Sequence, residues 1–191
     1  MMNTNMLEDI KAAVAVLRRG GVILYPTDTI WGLGCDATNE EAVRRIYAIK
    51  RRDDAKALIT LVDSDAKLQG YVREVPEVAW QLIDCAVKPL TLILDGGRNL
   101  APNLMAEDGS VALRITHEEF SKELCRRHGA PIVSTSANIS GQPAPKVFAE
   151  ISEEIKSQVD YICQSRQNEN LPREASNIIK LGCGGEVKVI R

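Results

Sequence analysis

Short apolar runs take turns with apolar positions spaced three and four apart along all 191 residues, and this alternation limits the fold more than any other feature. Leu7, Ile10, Val14 and Leu17 predict a one-faced helix that Gly20-Gly21 stops. Val22 to Tyr25 is a short extended run closed by Pro26. Ala42, Val43, Ile46 and Ile49 predict a second helix, with Asn39 as its cap ahead of Glu40 and Glu41. Val78 to Ala86 reads as a third helix and Phe120 to Cys125 as a fourth, and Val147, Ile151 and Ile155 share one helical face. Further strands are expected at 57–62, 90–94, 111–116, 132–135, 161–163, 177–181 and 187–190. The 22–25 run and these seven further strands, interleaved with five helices, argue for one α/β domain, spanning 1–191, around a largely central sheet. Strand direction is not legible at this level.

Composition narrows the function classes. Apolar residues at 45% and charged residues at 26% suffice for a buried core. No apolar run approaches the ~20 residues of a membrane span. The N-terminus, MMNTNMLEDIKAAV, lacks the basic-then-apolar pattern of a secretory leader, so the expectation is a cytoplasmic protein without a membrane partner. Five cysteines without a C-x-x-C fit neither a disulfide framework nor a zinc knuckle and are expected to be reduced, mostly buried packing residues. A net charge of −2 creates no whole-molecule attraction for nucleic acid, so any anion must be held by a local cluster. His117 and His128, on an expected surface helix, lack ligand spacing, and no metal site is expected. P-loop, Rossmann and G-x-S-x-G patterns are absent.

Four segments remain in which polar residues cluster where apolar strands end, the usual place for sites in α/β folds. In PTDTIWGLG (26–34), Thr27, Asp28 and Thr29 precede a glycine pair that allows close backbone approach to a ligand; the alternative is an Asx-type turn. In YAIKRRDDAKALITLV (47–62), Lys50, Arg51, Arg52 and Lys56 are either a phosphate clamp or a capped, solvated helix end. STSANISGQPAP (134–145) offers hydroxyls, an amide and a glycine suited to anionic oxygens or a ribose. Arg114 interrupts the apolar strand VALRIT as an edge charge or an inward anion anchor. The polar stretch SRQNENLPRE (165–174) is either a mobile lid beside a site or a solvated connection.

Taken in order, PTDT-x-x-G-L-G, K-x-R, P-L-T, the strand arginine and S-T-S-A-N-x-S-G resemble the YrdC-type threonylcarbamoyl-adenylate synthase family from about Leu7 to Leu181. The resemblance implies a single α/β domain with a twisted mixed sheet flanked by helices and a large concave, positively lined cavity. It implies synthesis of threonylcarbamoyl-AMP and pyrophosphate from L-threonine, bicarbonate and ATP, with Mg²⁺ carried on the phosphates. The product serves a downstream threonylcarbamoyl-transferase machinery that modifies tRNA. By the same resemblance, Lys50 and Arg52 are the catalytic pair that neutralises the triphosphate, and Lys56 is a further nucleotide contact. Ser134, Ser136 and Asn138 hold the phosphate and nucleotide side, Thr29, Arg114 and Ser176 lie near the threonine, and Thr91 supplies the hydroxyl of P-L-T. The chain departs from the family pattern at Asp53 and Ala57, where prolines are frequent, and at Leu61, where a histidine is frequent. A module binding double-stranded RNA or tRNA through the same fold, and an adenylating relative with another substrate, are the competing readings.

Overall fold

The computed structural model describes residues 3–52, 58–171, 173–182 and 184–191. Asn3 accepts the Asn5 N–H and opens helix α1 (Thr4–Arg18). Strands β1 (Ile23–Tyr25) and β2 (Gly32–Gly34) follow, then α2 (Glu40–Lys50), capped by the Asn39 side chain as the sequence indicates. The chain continues through β3 (Ile59–Val62), a one-turn α3 (Asp65–Leu68), α4 (Glu77–Cys85), β4 (Leu90–Leu94) and β5 (Val111–Ile115). Helix α5 (Glu119–His128), β6 (Ile132–Ser136), a short α6 (Glu153–Lys156), β7 (Tyr161–Ile162), β8 (Asn177–Leu181) and β9 (Val187–Val189) complete it.

The strands form one mixed sheet in the order β7-β1-β2-β6-β3-β5-β4-β8-β9. The β1/β7, β3/β5 and β4/β8 pairs are parallel and the other neighbours antiparallel. Pairing register places Ile132, Leu61, Arg114, Thr91 and Ile178 in one row across β6, β3, β5, β4 and β8. Since alternate residues share a face, this row marks one side of the sheet. At its β1–β6–β3 end, α1 and α5 cover that side, burying Ile10, Leu17, Phe120 and Leu124 with Ile23, Tyr25, Leu61 and Ile132. The opposite side, with Leu92, Leu94, Val111, Leu113 and Val133, packs against Val43 and Ile46 of α2 in a separate core. Each fully buried Leu, Ile or Phe contributes roughly 1.5–3 kcal/mol.

Three expectations are corrected. Gly32-Leu33-Gly34, where the sequence reading expects no strand, is a strand paired on both sides, with β1 and with β6. Glycine is a poor strand former, but here its missing side chain makes room. A Cβ on Gly34 would stand 2.5 Å from Tyr25 Cε1, and the Tyr25 hydroxyl donates to the Val133 carbonyl at 3.1 Å. Gly34 therefore accommodates the Tyr25 ring rather than a ligand. The single helix expected over Val147 to Ile155 is a 3₁₀ turn (Phe148–Glu150) and α6, because Ile151 is extended and Ser152 starts a new helix by accepting the Ile155 N–H. His128 does not lie on a surface: it is buried at the end of α5, with Nε2 3.0 Å from Asp36 Oδ2.

Cys35, Cys125 and Cys163 are buried thiols and Cys85 is exposed; Cys183 lies outside the described residues. Among the described residues no helix is long and apolar enough to cross a membrane.

Candidate functional site

Beyond the area that α1 and α5 cover, the marked side of the sheet is open, and there it floors a cavity of about 310 Å³. Ile59, Arg114, Ser134 and Ile178 rise from the sheet, and Thr29, Arg52, Ser136, Ser176 and Arg191 complete the polar wall.

The Thr27 hydroxyl builds the turn after β1. It donates to the Ile30 carbonyl (2.8 Å), accepts the Thr29 N–H (3.0 Å) and lies 3.0 Å from Thr29 Oγ1. With the Thr27 proton engaged, Thr29 donates in that contact and keeps a lone pair for the cavity. The turn is thus a threonine turn, and Asp28 is left to pair elsewhere. Its Oδ1 lies 3.0 Å from Arg114 Nη2.

Arg114 is an inward anchor, its side chain 2% exposed. Its Nε and Nη2 make no hydrogen bond, despite the charge contact with Asp28. Burial lowers the Arg114 pKa and raises that of Asp28, while each charge opposes the shift of the other. A buried guanidinium on a cavity wall, faced by a single carboxylate, suits an incoming carboxylate or phosphate.

Behind that wall, Thr91 Oγ1 lies 2.8 Å from Ser176 Oγ. Ser176 faces the cavity and Thr91 supports it from β4. Arg191 donates through Nε to the Ser176 carbonyl at 3.0 Å and lines the cavity beside Arg114. Sequence reasoning missed Arg191, for a single cation after VKVI carries no motif.

The basic segment at the end of α2 separates in three directions. Arg51 adopts a left-handed conformation (φ 48°, ψ 49°), closes the helix and pairs with Glu154 on α6. That reversal delivers Arg52 to the cavity. Lys50 is buried, 2% exposed, and donates to the Ser136 carbonyl, the Asn138 carbonyl (2.8 Å) and Asn138 Oδ1 (3.5 Å). The Lys50 carbonyl in turn accepts the Ser140 N–H at 2.9 Å. Lys50 thus braces the STSAN passage from behind. Asn138 likewise holds the loop, donating to the carbonyls of Ile139 (3.1 Å) and Gln142 (2.7 Å). Thr29, Arg52, Arg114, Ser134, Ser136 and Ser176 converge on one cavity, Thr91, Lys50 and Asn138 stand behind it, and Lys56, with Asp53 and Ala57, lies outside the described residues. Leu61 is fully buried beneath α5, away from the cavity.

Burial, and then the nearby Arg52 charge, bring the Lys50 ammonium down from 10.5 to about 8. Between those values the unfolded chain holds a proton that the folded protein has lost. Stability should therefore rise with pH across that window, by roughly 1.4 kcal/mol per unit at most. Below it, the full cost of burying the charge is present. Denaturant midpoints measured from about pH 7 to 10 should show this gain in the native protein and not in Lys50→Met.

Three guanidinium groups, three serine or threonine hydroxyls from β6 and no carboxylate side chain among the described lining residues, with apolar walls at Ile30, Leu58 and Ile178, give an α/β protein of the YrdC type a cavity suited to anions. Among the described residues no three His, Cys, Asp or Glu side chains are grouped to hold a metal. The Sua5/YciO/YrdC family model, described as "Telomere recombination", matches residues 15–191, and the chain belongs to this family. A threonylcarbamoyl-AMP synthase of Pseudoalteromonas translucida is 36% identical over 155 residues, 80% of this chain and 83% of that protein. The crystal structure of P. abyssi Sua5 complexed with L-threonine aligns with a TM-score of 0.80 and 29% identity, covering 90% of this chain and 50% of that one. The chain thus spans about half the length of that longer relative. E. coli YciO aligns with a TM-score of 0.85 and 26% identity over 100% of this chain and 90% of its own.

Proposed function

We propose that this protein synthesises L-threonylcarbamoyl-AMP from L-threonine, bicarbonate and ATP, releasing pyrophosphate, and that the product serves modification of an adenosine in tRNA. The observation that carries this reading is one cavity lined by both cations and hydroxyls: Arg52 and Arg114 with Thr29, Ser134, Ser136 and Ser176. Two anionic ends must meet there, a triphosphate and an amino-acid carboxylate.

Threonine and bicarbonate combine to a carbamate with loss of water. A carbamate oxygen then attacks the α-phosphorus and pyrophosphate leaves. Both partners are negative, so the dominant tasks are charge neutralisation, alignment and exclusion of water. Arg52 neutralises phosphate charge, together with Mg²⁺ that arrives on the nucleotide. Ser134 and Ser136 donate to phosphate oxygens, and Lys56 adds a nucleotide contact. Arg114 takes the threonine carboxylate, while Thr29 and Ser176 contact the rest of that substrate. Lys50 and Asn138 fix the serines, and Thr91 fixes Ser176. The work is done in the cytoplasm, ahead of a transferase that consumes the product.

The test is pyrophosphate release from MgATP and bicarbonate with and without L-threonine. Release that requires both threonine and bicarbonate is expected. Threonine-independent release, or equal use of other amino acids, would replace the substrate. A steeply salt-dependent affinity for RNA, indifferent to ATP and threonine, would replace the enzyme with a binding module.

A further inference from the structure

Ser165, Arg166 and Glu169 of the polar 165–174 stretch make defined contacts. Its start is fixed to α1: the buried Asp9 carboxylate accepts from the Tyr161 hydroxyl (2.7 Å) and from the N–H groups of Gln164 (3.0 Å) and Ser165 (2.7 Å). Arg166 follows in a left-handed conformation, φ 64°, which a branched-free arginine adopts only when its surroundings demand it. Its side chain, 11% exposed, turns inward.

There the guanidinium joins three pieces of the molecule. Nη1 donates to the Thr27 carbonyl at 3.0 Å and lies 3.0 Å from Glu118 Oε1. Nε and Nη2 form a fork with Glu169 at 2.8 and 2.9 Å, and Arg173 adds a second contact to that carboxylate at 3.3 Å. Two of these ties lead to the cavity. Thr27 carries the hydroxyl that orients Thr29. Glu118 caps α5 through the N–H groups of Phe120 (3.0 Å) and Ser121 (2.8 Å), directly after the strand that carries Arg114. The Thr29 turn and the Arg114 strand belong to distant parts of the sequence; Asp28 of that turn meets Arg114 directly, and Arg166 holds the supports of both from behind.

We infer that Arg166 is a positioning residue for the amino-acid half of the cavity, setting the spacing between the Thr29 hydroxyl and the Arg114 guanidinium from outside the wall. Arg166 itself touches neither substrate. The assignment rests on the proposed function in taking threonine as the ligand of that half. A guanidinium suits this place because its separate nitrogens serve different partners, Nε and Nη2 the Glu169 carboxylate and Nη1 the Thr27 carbonyl and Glu118.

The experiment is steady-state pyrophosphate release by the full chain, with threonine and ATP varied separately, for the native protein, Arg166→Ala, Arg166→Lys and Glu169→Gln. The KM for threonine should rise at least tenfold in Arg166→Ala, less in Arg166→Lys, and two- to threefold in Glu169→Gln, which keeps Arg166 but removes its outer hold. The KM for ATP should stay within twofold throughout. A purely structural role would lower the melting temperature and the active fraction while leaving both KM values unchanged. Should Arg166→Ala not fold, Glu169→Gln decides alone. Unchanged threonine KM in the folded variants, or an equal rise for ATP, overturns the assignment. A native protein that ignores threonine overturns the functional reading first, and this assignment with it.

Discussion

Arg114→Ala should lower threonine-dependent pyrophosphate release at least about a hundredfold, because one charge-assisted hydrogen bond is worth roughly 1.5–3 kcal/mol and a fork supplies two. The change should also destabilise the fold. Arg114 is 2% exposed and its charge faces Asp28, whose side chain is 12% exposed. Removing one member of such a pair strands the other, at a cost of about 3–5 kcal/mol. The two effects can be separated. Arg114→Met with Asp28→Asn removes both charges, so chemical denaturation should show most of the lost stability restored while activity stays absent. Full activity in that double variant would show that the guanidinium serves only to neutralise Asp28.

The second large effect distinguishes two neighbours. Arg52→Ala should reduce turnover at least tenfold, about 1.4 kcal/mol of transition-state stabilisation, and leave stability within about 1 kcal/mol, as expected of a half-exposed wall residue. Lys50→Ala should lose turnover by a similar factor and, unlike Arg52→Ala, lose about 2–4 kcal/mol of stability. It leaves the carbonyls of Ser136 and Asn138 without the donor they share and opens a void behind them. Kinetics and denaturant curves on the same preparations provide the comparison. Normal kinetics in both variants would reduce the segment to a helix cap.

These contrasts bear on how far a sequence can be read. Periodicity and capping are local, so α1, α2 with its Asn39 cap, and most strands were legible. The convergence of PTDT, STSAN and Arg114 was legible through the family resemblance, since the residues alone left an Asx-type turn and an edge charge open. The direction each cation takes was not. Lys50, Arg51 and Arg52 are consecutive, yet Lys50 meets Ser136, 86 residues away, and Arg51 meets Glu154, 103 away. Such choices are made by tertiary partners. For the same reason β2 escaped notice: a Gly-Leu-Gly run has little strand preference of its own and is extended because β1 and β6 flank it. Arg191 escaped because its role depends only on where the last strand delivers it.

The side of the sheet that floors the cavity is the same side that α1 and α5 seal a few ångströms along, and one row of residues runs through both. The two halves of that row differ in tolerance to change. Leu61 and Ile132 are locked under helices, whereas Arg114 and Ile178 line the cavity on strands of the same sheet, Arg114 paired with the covered Leu61 itself. Such a floor behaves as a rigid anvil. Substitutions that change which ligand fits are therefore expected in the loop residues around it, such as Thr29, Ile30, Ala144 and Ala175, rather than in the strands beneath.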